Sequence, residues 1–217
     1  MTTSIIDFIS CSILFSVLLA LSILSTLCIA PYTTHFLSDY HVIVDFFIFL
    51  LSYGLLSGLL SKIISKVLPI QLGEFAMSDK NFTAWKIQSM ICYTGKALLL
   101  PLTLISFRPL VLRILGAQVG KDIAMGGHVD YPFLTSIGDH VIIANGSQIA
   151  SCTMINEKIL IGKIKIGNYV TIGINAVVLP NVEIGDHAIV EIGSVVMPGS
   201  KIPPGERWRG NPARKWI

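Results

Sequence analysis

The first 59 residues contain no lysine and no arginine, and only three acids, Asp7, Asp39 and Asp45. The stretch forms a nearly uncharged block. Charge is scarce throughout, at 13% of residues against 53% hydrophobic, which places part of the chain outside water. Cysteine is scarce too. Cys11, Cys28, Cys92 and Cys152 include no C-x-x-C pair, and two of them sit inside an apolar run, which excludes a disulfide framework and a zinc site. The cations are concentrated in one band: residues 60–121 carry eight Lys/Arg against Glu74 and Asp79, whereas residues 122–217 balance eight against eight. The band lacks interleaved aromatics and any binding motif, so it reads as attraction to anionic membrane lipid and not to nucleic acid.

Long apolar runs are what the chain does have. Phe8 to Ala30 is 23 residues without a charge, and Val42 to Leu60 is 19 with only Asp45. Each is long enough to cross a hydrocarbon core of about 30 Å. The expectation is a transmembrane helical hairpin over residues 1–70, connected by Pro31 to His41. That connection has no Lys or Arg, while Lys62 and Lys66 follow the second run, so the positive-inside bias puts the rest of an integral membrane protein on the cytoplasmic side. A cleaved signal peptide fits poorly, because residues 1–7 bear no positive charge and a second span follows. Residues 71–116 mix apolar residues with Trp85, Lys86, Lys96, Arg108 and Arg113. They read as amphipathic helices on the membrane surface, or as helices packed on the end of the domain that follows.

From residue 119 a bulky apolar residue recurs every six positions: Val119, Met125, Tyr131, Ile137, Ile143, Ile149, Ile155 and Ile161. One step of five resets the phase, and the series continues through Ile166, Ile172, Val178, Ile184, Val190, Val196 and Ile202. The residue four places on is small or β-branched in every complete hexad, and glycine often follows the repeat position. A triangular coil requires this spacing: one short strand and one turn per side, with three hexads closing a rung of 18 residues and like side chains stacking into a continuous core. Residues 117–217 are therefore expected to form an all-β parallel β-helix with a C-terminal cap, in which Trp208 and Trp216 close the last rung.

Several stretches carry a resemblance: Ile137-Gly-Asp-His, Ile166-Gly-Asn-Tyr-Val-Thr-Ile-Gly, Val177-Val-Leu-Pro-Asn-Val-Glu-Ile-Gly-Asp, Ile192-Gly-Ser-Val-Val and Gly210-Asn-Pro-Ala-Arg214. They resemble the hexapeptide-repeat acyltransferases, whose coil is left-handed. With the preceding helices and Arg108-Pro-Leu-Val-Leu-Arg-Ile-Leu-Gly-Ala-Gln-Val-Gly120, the chain looks closer still to the membrane-embedded modules of poly-lysine-synthetase-type nonribosomal peptide synthetases. The left hand comes from the resemblance, since parallel crossovers are generally right-handed.

The resemblance implies a homotrimer that moves an acyl group, acetyl above all, from coenzyme A to a hydroxyl or amine acceptor. It implies no metal, and a histidine as general base. In this sequence Cys152 stands where the family has that histidine. Three readings stay open: Cys152 is a nucleophile activated by Lys158 or Lys163; a histidine from elsewhere supplies the base, where His128 or its neighbour Asp130, one face away from Cys152 by rung count, reaches it only through a bulging loop or from an adjacent subunit; or the scaffold has lost the chemistry and serves a membrane biosynthetic complex. His140 and His187 read as solvent-facing turn residues. The resemblance also implies that Gly173, Ile174, Ile192, Gly193 and Ser194 line the acetyl-CoA groove, with Arg209 and Arg214 at its phosphates.

Overall fold

The computed structural model describes residues 5–216, so the first four residues of the expected helical hairpin and the last residue of the expected coil lie outside it. The chain divides into two compact units, residues 1–69 with 83–102, and residues 70–82 with 103–217.

The helical unit contains α1 (Ile5–Leu37), α2 (His41–Val67) and most of α3 (Lys80–Leu102). Helix α1 continues through Pro31, so the connection expected over Pro31–His41 shrinks to the 3-10 turn Ser38–Tyr40. Asp45, the one charge in the second apolar run, accepts a hydrogen bond from Thr33 Oγ1 at 2.7 Å. The stretch Phe8–Val67 is long and apolar enough to cross a membrane, and only 11% of its most apolar 18 residues are covered by protein. What α2 does bury is a stripe of small residues, Gly54, Ser57, Gly58 and Ser61. A Cβ on Gly54 would stand 2.2 Å from Leu99 Cγ, so α3 approaches α2 at a distance that only glycine permits. Ile87 and Ile91 of α3 join Ile64, with Cys11, Leu14 and Leu60 packed around them. The segment read as a surface helix thus packs with the first two helices.

The second unit is a parallel β-helix of three faces. The first face stacks Gln118–Val119, Thr135–Ile137, Ile164–Ile166, Glu183–Ile184 and Lys201–Ile202. The second stacks Ala124–Met125, Ile142–Ile143, Thr171–Ile172, Ile189–Val190 and Arg207–Gly210, closed by an antiparallel return strand Ala213–Lys215. The third stacks His128–Val129, Gln148–Ile149, Val177–Val178 and Val195–Val196. Repeat residues fill the interior: Ile143, Ile149, Ile172, Val178, Val190 and Val196 are all at most 1% exposed. Val141, Val170, Ala176, Val182 and Ala188, each four places on from a repeat position, are wholly buried beside them.

Two parts of the hexad pattern need correction. Ile137 pairs with Ile166, which is 29 residues on where a rung needs 18, so eleven residues leave the coil. Cys152–Ile155 and Lys158–Ile161 form an antiparallel hairpin turned by Asn156 and Glu157, both at positive φ, a two-residue turn whose twist suits a hairpin. Eleven is one less than two hexads, so Ile155 and Ile161 fell on the period by coincidence; Ile155 is 63% exposed. Tyr131 is also off the coil register, because Val129 is the residue that pairs with Ile149 and a 3-10 turn, Pro132–Leu134, makes up the difference.

The glycines after the repeat position serve close approach and not the left-handed conformation. A Cβ on Gly138 would lie 2.7 Å from the carbonyl carbon of Gly167 on the next rung. Positive φ falls to Asp122, His140, Tyr169 and His187 instead. At this corner each rung is tied to the one after it. Asp139 accepts from Lys121 N at 2.7 Å, Asn168 from Asp139 N at 2.9 Å and Asp186 from Asn168 N at 2.7 Å. His140 and His187 are exposed, as expected, but they also stack on either side of Tyr169, with ring centroids 4.7 Å and 4.9 Å apart.

An open β-helix end presents unpaired backbone groups and apolar side chains. Here α4 (Arg108–Ile114) covers the first rung: Leu112, 1% exposed, joins the coil core, and Arg113 donates to the carbonyls of Val119 and Gly120. At the other end Trp208 packs on the core, but Trp216 does not cap it. Trp216 is 45% exposed, with the guanidinium groups of Arg207 and Arg209 over its ring.

Candidate functional site

The residues singled out in the sequence fall into two groups. Gly173, Ile174, Ile192 and Gly193 lie at the corner between the second and third faces, where Gly193 N donates to Ile174 O at 2.9 Å. Ile174 and Ile192 stand outward at 47% and 67% exposure and form an apolar ridge. Gly173 is held by packing, since a Cβ there would meet Ile192 N at 2.6 Å. Ser194 is wholly buried and its Oγ accepts from Gly210 N at 3.2 Å, which ties the corner to the terminal strand pair. In that pair Arg209 sits directly opposite Arg214, and both are exposed. Like charges opposed across a strand pair repel, so the pairing suits an anion between them. Arg207, by contrast, is engaged with Glu191 at 2.6 Å.

The second group is His128, Asp130 and Gln148 on the coil, with Cys152 at the start of the hairpin. His128 lies in register beneath Gln148 on the outward side of the third face, and both are exposed. Gln148 Nε2 donates to Asp130 Oδ2 at 3.1 Å. Gln148 was missed in the sequence reading, because its role depends on a 20-residue register that the hexad count does not show. Cys152 begins the hairpin opposite Ile161. Residues opposite one another, and those two along, share a sheet face, so Cys152 lies on the same face as Ile159 and Ile161, both wholly buried. One of the two cations expected to activate it is engaged elsewhere. Lys158 belongs to the opposite face and is paired with Glu74 at 2.9 Å. Among the described residues no group of three or more His, Cys, Asp or Glu is placed to hold a metal.

Fold and repeat together define a hexapeptide-repeat β-helix. Residues 163–197 match the family model described as bacterial transferase hexapeptide (six repeats). Delta-poly-L-ornithine synthetase of Acinetobacter baumannii is 32% identical over 110 residues, which are 50% of this chain and 8% of that protein. Among solved structures, a hexapeptide-repeat-containing acetyltransferase of Vibrio cholerae complexed with acetyl coenzyme A is 27% identical, with a TM-score of 0.43 over 47% of this chain and 60% of that one. A galactoside acetyltransferase in complex with coenzyme A is 20% identical, with a TM-score of 0.44 over 76% and 82%. The stretch of this chain that matches the poly-ornithine synthetase is thus a small part of that protein's length.

Proposed function

We propose that the chain is a membrane-anchored acyltransferase that takes an acyl group, acetyl above all, from coenzyme A to a hydroxyl or amine acceptor at the cytoplasmic face of a membrane. The observation that carries this reading is the opposed pair Arg209 and Arg214 at the top of the corner ridge. Their rung lies four rungs above that of His128. At about 4.8 Å per rung this is roughly 19 Å along the coil. In this reading the two guanidiniums hold phosphates, Ile174 and Ile192 lie along the pantetheine arm, and the thioester supplies the activated acyl group. His128, exposed and beside the Gln148–Asp130 pair, takes the proton from the acceptor's O–H or N–H as it attacks. We further read the coil as left-handed and trimeric, and α1 and α2 as spans that hold it at a lipid surface and so concentrate a membrane-borne acceptor.

Calorimetry on the full chain in detergent tests the donor. Acetyl-CoA is expected to bind, and Arg209→Ala or Arg214→Ala to weaken it about tenfold; no heat at millimolar ligand would sink the reading. His128→Ala is expected to lower acetyl transfer by about 10²-fold or more, while Cys152→Ala leaves it within twofold or so of the parent.

Cys152 stands half-buried in the hairpin where the resemblance calls for a histidine, which favours a second reading: a scaffold of a membrane biosynthetic complex without transfer chemistry. Acetyl-CoA turnover that is identical in the parent and His128→Ala chains is its expected signature.

A further inference from the structure

The hairpin that leaves the coil is not alone. The strand Gly73–Ala76 pairs antiparallel with Lys158–Ile161 and completes a three-stranded sheet, and Met77 N donates to Glu157 O at 3.0 Å. One side of this sheet holds Cys152, Ile159 and Ile161, the two isoleucines wholly buried. The other side is open. Glu74, Thr153, Ile155, Asn156, Lys158 and Leu160 line a pocket there of about 250 Å³. That volume is below the usual range for cofactors and drug-sized ligands, and fits a molecule the size of an amino acid.

The charges in the pocket are arranged as a split pair. Glu74 is opposite Leu160 and Lys158 is opposite Ala76, so the two charged residues are diagonal neighbours on adjacent strands. Such positions are about 7–8 Å apart at the backbone. The side chains close that gap to 2.9 Å by leaning toward each other. Both are more than half exposed, at 60% and 56%, and exposed pairs of this kind hold together weakly. Opening the pair presents a carboxylate and an ammonium across a gap whose opposing strand positions are Ala76 and Leu160, with Thr153 beside Leu160 on the same side. Hydrogen bonding and attraction from Glu74 hold the Lys158 ammonium above its ordinary pKa.

We infer that this pocket is a binding site for a small zwitterion of the amino-acid type, whose ammonium takes the place of Lys158 on Glu74 and whose carboxylate takes the place of Glu74 on Lys158. The inference stands apart from the acyl-transfer reading, since it needs neither coenzyme A nor a base.

Calorimetry of the full chain in detergent, titrated with glycine, acetate or methylammonium, tests it without any assay of transfer. Saturable glycine binding with a Kd of about 1 mM is expected, with each single ion at least about tenfold weaker. Glu74→Gln and Lys158→Gln are each expected to weaken glycine about tenfold. The double variant Glu74→Lys with Lys158→Glu keeps both charges with their places exchanged, and is expected to bind glycine within about threefold of the parent. Absence of saturable glycine binding in the parent chain overturns the inference, as does binding of acetate or methylammonium as tight as that of glycine, or loss of glycine binding in the exchanged variant.

Discussion

Short polar side chains at the coil corner between the first and second faces do the work of a missing backbone partner. Asp139, Asn168 and Asp186 each cap the amide of the rung before. Replacing Asn168 with alanine is expected to cost about 1 kcal/mol, measured as a shift in the urea midpoint of the coil. Cys152→Ala is expected to lower the unfolding temperature by a few degrees through lost packing, at about 1 kcal/mol, and native Cys152 to alkylate more slowly than in urea. The identity of these residues was readable, but what they touch was not. His140 and His187 were placed in turns from the Gly-Asp-His motif. The stack of His140 on Tyr169 depends on the 29-residue register that the hairpin creates, whereas that of His187 follows the ordinary 18-residue rung.

Helix α4 and the α2–α3 contact show how elements are fixed by one residue each. Leu112→Ala is expected to destabilise the first rung by about 2–5 kcal/mol, read by hydrogen exchange of the amides of residues 118–125 against those of the last rung. Gly54→Leu is expected to lower the melting temperature of the helical unit in detergent, and Leu99→Ala in the same chain to restore part of it, because the added side chain meets Leu99 directly. The hexads made the coil legible, since stacking like on like leaves a period in the sequence. Neither the pairing of Gly73–Ala76 with the hairpin nor the packing of α3 leaves one. A four-residue strand has too few positions to show alternation, and the residues of α2 that admit α3 are glycines and serines whose message is size and not hydropathy.

At the scale of the whole coil, surface ion pairs add small contributions to the pH response. Lys165, with Lys201 beside it, holds the Glu183 carboxyl below its ordinary range, and Lys215 with the Trp208 indole does the same for Glu206. A depressed carboxylate contributes stability that is complete at neutral pH and lost as pH falls through its folded value. Lys158, raised by Glu74, contributes stability that is complete at neutral pH and lost as pH rises through its folded value. The unfolding temperature is therefore expected to be flat near neutrality and to fall at both extremes. The variant Glu183→Gln with Glu206→Gln should flatten the acid side, as measured by calorimetry across pH.

At the mouth of the hairpin Gly162 N donates to Ser151 O at 2.9 Å, and Ile149 and Ile164 on either side are wholly buried in the coil. Cutting out Cys152–Gly162 would leave Ile166 six residues after Ile149, so the remaining chain would wind without a skipped beat. The coil is blind to how long the detour is, provided its two ends return to the same spot. That makes this corner a natural splice point, where a lineage or an engineer can exchange one loop for another of any length and keep the winding beneath it.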